Sequence, residues 1–257
     1  MSIGDAEIKT QERVIRFFKD PEILGYQYIG NLSDHQNKNI KEDRLRQYLR
    51  LKGYADKLVD AAVMQLQQEA GNLSRGVYDA NKTVYSRLKY GIPVSESPEK
   101  PPVTVELIDE AHPLNNDFAI AEEVTVLEQQ EKRPDLVIYL NGIAVAVIEL
   151  KRSSISVSEG IRQNLTNQKD SFIQGFFTTM QFCMAGNESE GLRSGTLLTG
   201  EKFYMEWKDD GFKEHEEERD SVDVRISETC AGIENKLLQQ IYAMFDKEQK
   251  RGYTQSA

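Results

Sequence analysis

Arg133-Pro134-Asp135-Leu136-Val137-Ile138-Tyr139-Leu140-Asn141-Gly142-Ile143-Ala144-Val145-Ala146-Val147-Ile148-Glu149-Leu150-Lys151 reads as two apolar strands folded back on each other. The fold-back point is Asn141-Gly142, the strongest short hairpin signal, because both central residues of a type I′ turn need positive φ. Leu136 to Leu140 and Ile143 to Ile148 are almost wholly apolar, so both faces of the pair are expected to be covered. Side chains alternate along a strand, which sets Val147, Glu149 and Lys151 on one side and Leu150 on the other. The hairpin returns its two ends to one edge, where Asp135 and Glu149 can meet with Lys151 beside them. An acid-x-lysine triplet alone is common at strand ends; the Pro134-Asp135 arm opposite is what marks this one as a candidate site. Two carboxylates and an amine at the edge of a buried sheet suit metal-assisted hydrolysis of phosphodiesters. Without a metal, paired carboxylates repel, so one of them should have a raised pKa.

Composition bounds the classes open to this chain. Its 257 residues suffice for one large domain or two small ones, and 39% hydrophobic with 29% charged residues suits a globular protein. No apolar stretch approaches the ~20 residues of a membrane helix, and the N-terminus lacks the basic and apolar regions of a signal peptide. Cys183 and Cys230 form neither a CxxC pair nor a zinc pattern, so reduced thiols in a cytoplasmic protein are expected, with Cys183 in the core. The net charge is −10, but ten acids against four bases fall between Glu201 and Asp223. Lys151, Arg152, Arg162 and Lys169 supply positive charge near the candidate site, yet no basic stripe is evident along the chain. Most phosphate-binding affinity would then come from another domain or subunit.

Periodicity and breakers divide the chain coarsely. An amphipathic helix is expected over 6–19, stopped before Pro21. Asn39-x-x-Glu42 looks like a capping box for a helix ending near Gly53. Two more helices follow, over 55–70 and 75–90, and Gly91, Pro93 and the 95–102 stretch break the chain. Strands begin at Val103 and Phe118 and run into the hairpin. Helices are expected over 158–168 and 172–184, short strands over 196–198 and 202–207, an acidic loop, and a last helix over 233–247. Gly195-Thr-Leu-Leu-Thr-Gly200-Glu201-Lys202 approaches a phosphate-binding loop, but Glu201 stands where the lysine is needed. His35, His112 and His215 are scattered and read as surface residues. Glu122-Glu123 could face the site or be salt-bridged, and Glu12 is a weaker candidate of the same kind.

Pro134-Asp135 followed by Glu149-Leu150-Lys151 resembles the PD-(D/E)xK nuclease superfamily. More closely, the chain resembles the N-terminal nuclease domain of the restriction subunit of type I restriction-modification enzymes. The matching segments are Thr10-Gln-Glu-Arg-Val-Ile15, Leu24-Gly-Tyr-Gln-Tyr-Ile-Gly30, Asn116 to Thr125, Arg133 to Ser153, Glu159 to Leu165 and Phe176 to Asn187. That family pattern adds a Gln-x-x-x-Tyr element on the next helix: Gln163 fits the glutamine, and Asn167 stands at the tyrosine position. The resemblance implies an α/β, restriction-endonuclease-like mixed β-sheet flanked by α-helices, with a helical N-terminal part. It implies an endonuclease domain over 1–207, with a mainly helical part (1–92) and a catalytic core (93–207). Residues 208–257 would be an acidic loop and helix leading towards a motor domain that this chain lacks.

By the same resemblance, Asp135, Glu149, Lys151 and Gln163 are the catalytic residues. Asp135, Glu149 and the Leu150 carbonyl would hold Mg²⁺, and Lys151 would orient water or stabilise the phosphorane. Double-stranded DNA and the methyltransferase and specificity subunits would be the partners, with no membrane and with ATP used only by the motor. The isolated domain is then expected to bind DNA weakly and cut poorly. Two other readings remain: a repair nuclease or junction resolvase of the same fold, and a non-catalytic assembly module.

Overall fold

The computed structural model describes residues 3–95, 97, 99–206 and 236–245. Its centre is a mixed sheet of seven strands in the order β1-β4-β7-β8-β9-β10-β11. These are β1 (Gln27–Asn31), β4 (Phe118–Glu122), β7 (Leu136–Leu140), β8 (Ile143–Leu150), β9 (Phe182–Asn187), β10 (Gly191–Gly195) and β11 (Met205–Glu206). β1 runs parallel to β4 and β8 parallel to β9, and the other neighbours are antiparallel. Two small ladders, β2 (Ile92–Val94) with β3 (Val103–Val105) and β5 (Val126–Leu127) with β6 (Glu131–Lys132), lie outside it.

The expected hairpin is β7–β8. Asn141 and Gly142 adopt φ of 52° and 83°, which only a residue tolerant of left-handed backbone accepts at low cost. As alternation demands, Leu136, Ile138, Ala146, Ile148 and Leu150 face one core, packed by α1 (Ile3–Lys19) through Val14 and Phe18. Helix α6 (Lys236–Phe245), inside the expected 233–247 helix, joins that core through Leu237 and Ile241. Val137, Tyr139, Ala144 and Val147 face the opposite core, packed by α5 (Val157–Asn167) through Val157 and Ile161. Both faces are thus covered, as the apolar runs require.

One residue breaks the pairing. The turn sets Leu140 across from Ile143 and Tyr139 across from Ala144, but Ile138 pairs with Ala146. Val145 is a β-bulge, and its carbonyl instead accepts the Gln181 N–H at 2.8 Å, where the chain enters β9. Beyond the bulge the register continues Leu136 to Ile148, which brings Asp135 across from Glu149.

A third core is built by α2 (Glu42–Leu51), α3 (Asp56–Gly71), α4 (Val77–Tyr90), β2 and β3 at the turn end of the hairpin. It grips that turn directly. Lys41 N–H donates to the Gly142 carbonyl at 2.7 Å, and Ala144 N–H to the Asn39 carbonyl at 2.8 Å. The Asn141 side chain is buried, accepting from Asp117 N–H (2.7 Å) and donating to the Leu107 carbonyl and Asn116 Oδ1 (both 2.8 Å).

Three local expectations are corrected. The Asn39-x-x-Glu42 capping box does not form: Lys41 is the N-cap, and Asn39 Nδ2 donates to Gly175 O and Thr178 Oγ1, both at 3.0 Å. A tertiary bond took the side chain that local geometry would have used. The 172–184 helix is a short 3-10 segment, Gln174–Thr179, followed by β9. Thr178 Oγ1 bonds back to the Gly175 carbonyl at 2.8 Å, and pairing with β8 draws the chain into the sheet. The 196–198 strand does not form, the sheet strand before it being β10, and of the 202–207 stretch only Met205–Glu206 is a strand, β11, after a 3-10 turn over Glu201–Phe203. The glycines Gly191 and Gly195 that bound β10 hide it from propensity. The acidic loop, His215 and Cys230 lie outside the described residues.

Gly142→Ala tests the grip on the turn. A Cβ there would lie 2.7 Å from the Lys41 carbonyl and 2.8 Å from Leu45 N. Destabilisation of at least ~1–2 kcal/mol is expected, read as a lowered denaturant midpoint; an unchanged midpoint would refute the account.

Candidate active site

The site lies at the end of the hairpin away from the turn. Asp135 precedes β7 and Glu149 is the penultimate residue of β8. Leu150 N–H donates to Asp135 Oδ2 at 2.7 Å, which clips the two arms together at the carboxylates. Glu149 is fully buried, and neither carboxylate oxygen has a hydrogen-bond partner among the described residues. Helix α5 roofs it: a Cβ on Gly160 would lie 2.9 Å from Ala185 Cβ and 3.4 Å from Glu149 Cβ, so only glycine lets the helix come this close.

Lys151 completes the group. Its Nζ donates to the Leu150 carbonyl at 2.9 Å, pairs with Glu7 of α1 at 3.3 Å and lies 3.9 Å from Asp135. The ammonium therefore sits among oxygen atoms where positive charge is favoured. Burial and the neighbouring acids act in opposition on these groups. Burial raises the Asp135 pKa to about 6, against the pull of Lys151 and the Leu150 N–H. Burial, and then the charge of Asp135, push Glu149 well above the ordinary carboxylate range. Burial works against the Lys151 ammonium, but Asp135, Glu149 and Glu7 outweigh it and raise its pKa.

A second polar layer adjoins this one. Gln11 Nε2 donates to Glu122 Oε2 (2.9 Å) and Glu123 Oε1 (3.1 Å), and the Tyr28 hydroxyl donates to Glu122. Glu123 pairs with Arg133 at 2.7 Å, and its N–H donates to the Asp135 carbonyl at 2.8 Å. Glu122-Glu123 is thus both near the site and bonded. Glu12 is exposed. The acid that α1 does send to the site is Glu7, which sequence reasoning missed. Its signal was available: Glu7, Gln11, Val14 and Phe18 follow helical spacing, so the apolar stripe of α1 becomes polar where it reaches the site.

The structure brings Asp135, Glu149, Leu150 and Lys151 together. Gln163 does not join them by any hydrogen bond among the described residues; it is half-buried on α5, one turn beyond Gly160. Asn167 is buried on the same helix. Arg162, expected to lend positive charge, is bound to Glu159 (2.6 Å) and Glu201 (2.9 Å). The near-miss phosphate loop therefore spends its acid on an ion pair. His35 and His112 are exposed, His112 lying beside Asp109. Cys183 is a buried free thiol pushed up to about 12 by burial.

The oxygens available to a hard cation are those of Asp135, Glu149 and the Leu150 carbonyl. Among the described residues no three His, Cys, Asp or Glu side chains form a metal-holding group. No helix among them is long and apolar enough to cross a membrane. Raised carboxyl pKa values make a prediction about stability. In the unfolded chain these carboxyls ionise near pH ~4, whereas the folded protein ionises Asp135 at about 6 and Glu149 well above the ordinary carboxylate range. Between those limits the folded state holds more protons, so stability falls as pH rises. Thermal unfolding from pH 4 to 8 in a chelator should show that decline, and Glu149→Gln should flatten it and raise the melting temperature at pH 8. A pH-independent wild type would refute this electrostatic account.

Comparison with known proteins agrees with the geometry. A model of the family described as type I restriction enzyme R protein N terminus matches residues 7–203. The type I restriction enzyme SsaAORF53P endonuclease subunit of Staphylococcus saprophyticus subsp. saprophyticus is 28% identical over 111 residues. That match covers 42% of this chain and 12% of the subunit, so the chain spans a small part of this relative's length. The matched family span contains the whole β7–β8 hairpin, its acids and its lysine, and this chain belongs to the N-terminal family of type I restriction enzyme R proteins.

Proposed function

We propose that this domain is a Mg²⁺-dependent endonuclease acting on double-stranded DNA. The observation that carries this reading is Glu149, a fully buried carboxylate with both oxygens unpartnered, held across from Asp135 and beside Lys151. Burying an acid without a partner costs stability, and a hard divalent cation would offset that cost. The donor set fits: Mg²⁺ takes one or two carboxylates and leaves its remaining positions to water and substrate phosphate. Asp135 and Glu149 would hold the ion with the Leu150 carbonyl, for which Lys151 Nζ would have to leave that oxygen. When bound, Mg²⁺ acidifies a coordinated water and polarises the scissile phosphate.

The chain's own residues do the rest. The Leu150 N–H orients the Asp135 carboxylate. Lys151 keeps its proton through the surrounding acids and presents positive charge where the pentacovalent phosphorus gathers negative charge. Glu7 anchors that ammonium from α1. Gln163, half-buried on α5, would contact the DNA strand rather than the carboxylates. In the full-length R subunit, located in the cytoplasm, cutting would be coupled to an ATP-driven motor and to the methyltransferase and specificity subunits.

The test is cleavage by the full-length subunit in its assembled complex. Asp135→Ala should abolish Mg²⁺-dependent cutting. Lys151→Ala should reduce it by about 10²–10³-fold, the range for losing one charge-stabilising donor. ATP hydrolysis should stay unchanged in both. Wild-type cutting by Asp135→Ala would overturn the assignment.

A further inference from the structure

Helix α4 turns a patterned face to solvent. Tyr78, Lys82, Tyr85 and Lys89 follow one another at steps of four, three and four residues, which align on one stripe of an α-helix. Tyr90 follows, with Lys89 Nζ 5.3 Å from its ring centre. Tyr78, Tyr85 and Tyr90 are 59%, 48% and 68% exposed, three of the five aromatic side chains exposed among the described residues. The helix is not free to bury them. Its opposite side is fixed by Val77, Ala80, Val84 and Leu88, and Asn81 Nδ2 donates to the carbonyls of Phe177, Thr178 and Met180.

The lysines on this face are not neutralised by acids among the described residues. Arg87, at the side of the helix, is taken by Glu69 at 2.8 Å, whereas Lys82 and Lys89 enter no ion pair among the described residues. Asp79 on the helix and Glu110 near Lys89 are the nearby acids. A basic and aromatic stripe in a chain of net charge −10 does not follow from composition.

Resting on the nuclease reading, we propose that the Tyr78–Lys82–Tyr85–Lys89 face of α4 binds the sugar-phosphate backbone of the duplex DNA that the domain cuts. Lysines and tyrosine hydroxyls are donors to phosphate, whereas lysine is depleted from the cores of protein–protein interfaces. From Tyr78 to Lys89 the stripe is ~16 Å long, the rise of about five base pairs. Val77, at the start of the helix, shares the apolar cluster of Val137 and Val147. The stripe lies on the opposite, solvent-facing side of that helix.

The test is binding of this chain to a short fluorescein-labelled duplex, by anisotropy across a salt series in a chelator that silences cutting. The Lys82→Ala/Lys89→Ala double variant should bind about tenfold more weakly and reduce the log–log salt slope by about two. Tyr85→Ala should weaken binding without changing the slope, and Tyr85→Phe should separate the hydroxyl from the ring. Lys57→Ala, an exposed lysine on α3, should bind as wild type, and Asp135→Ala at least as tightly. Wild-type affinity and slope in the double variant would overturn the proposal. So would a wild type that binds no duplex, or a double variant that keeps duplex binding but loses assembly with other subunits. Loss of cutting in Asp135→Ala bears on the nuclease reading alone, so the two can fail separately.

Discussion

The candidate site depends on one extra residue in β8. A two-residue turn pairs Leu140 with Ile143, and unbroken pairing from there would set Asp135 across from Ile148. Because side chains alternate, the two acids would then project from opposite faces. The bulge at Val145 shifts the register by one, so that Asp135 and Glu149 share a face and Leu150 N–H reaches the Asp135 carboxylate. The carbonyl displaced by the bulge is taken up by Gln181 at the entry to β9. The third strand thus stabilises the irregularity that aligns the first two.

That alignment is costly. Glu149 is sealed under α5 at Gly160, with its oxygens unpartnered and its pKa raised by burial and by Asp135. A sheet built only for stability would carry an apolar residue there, as the flanking Ile148 and Leu150 do. Lys151 and Glu7 moderate the repulsion without neutralising Glu149 directly. The site is therefore electrostatically unsatisfied in the direction that favours binding a cation.

The remaining elements hold this arrangement still. The helical subdomain of α2, α3 and α4 clamps the turn through Lys41, Asn39 and the buried Asn116–Asn141 pair. Helix α1 covers the other face and sends Glu7 and Gln11 to the polar edge. Both the clamped turn and the open end are carried on paired strands, which suits a site that must hold charges in fixed positions.

The hairpin, its turn and the three charged residues at its open end were legible in the linear sequence, because Asn-Gly geometry, two apolar runs and an acid-x-lysine ending are local signals. The helices α1 to α5 were legible for the same reason, through periodicity and breakers. Tertiary structure decided what local signals cannot encode. Pairing with β8 turned the 172–184 stretch from an expected helix into a 3-10 turn and β9. Asn39 left its capping position for Gly175 and Thr178, and Glu7 replaced Glu12 as the α1 acid at the site. The sequence by itself determined which acids and which lysine come together and that they lie at one hairpin end. Only the tertiary structure decided, through the Val145 bulge and the packing of α5 and α1, that they share a face, because strand register is set by partners distant along the chain.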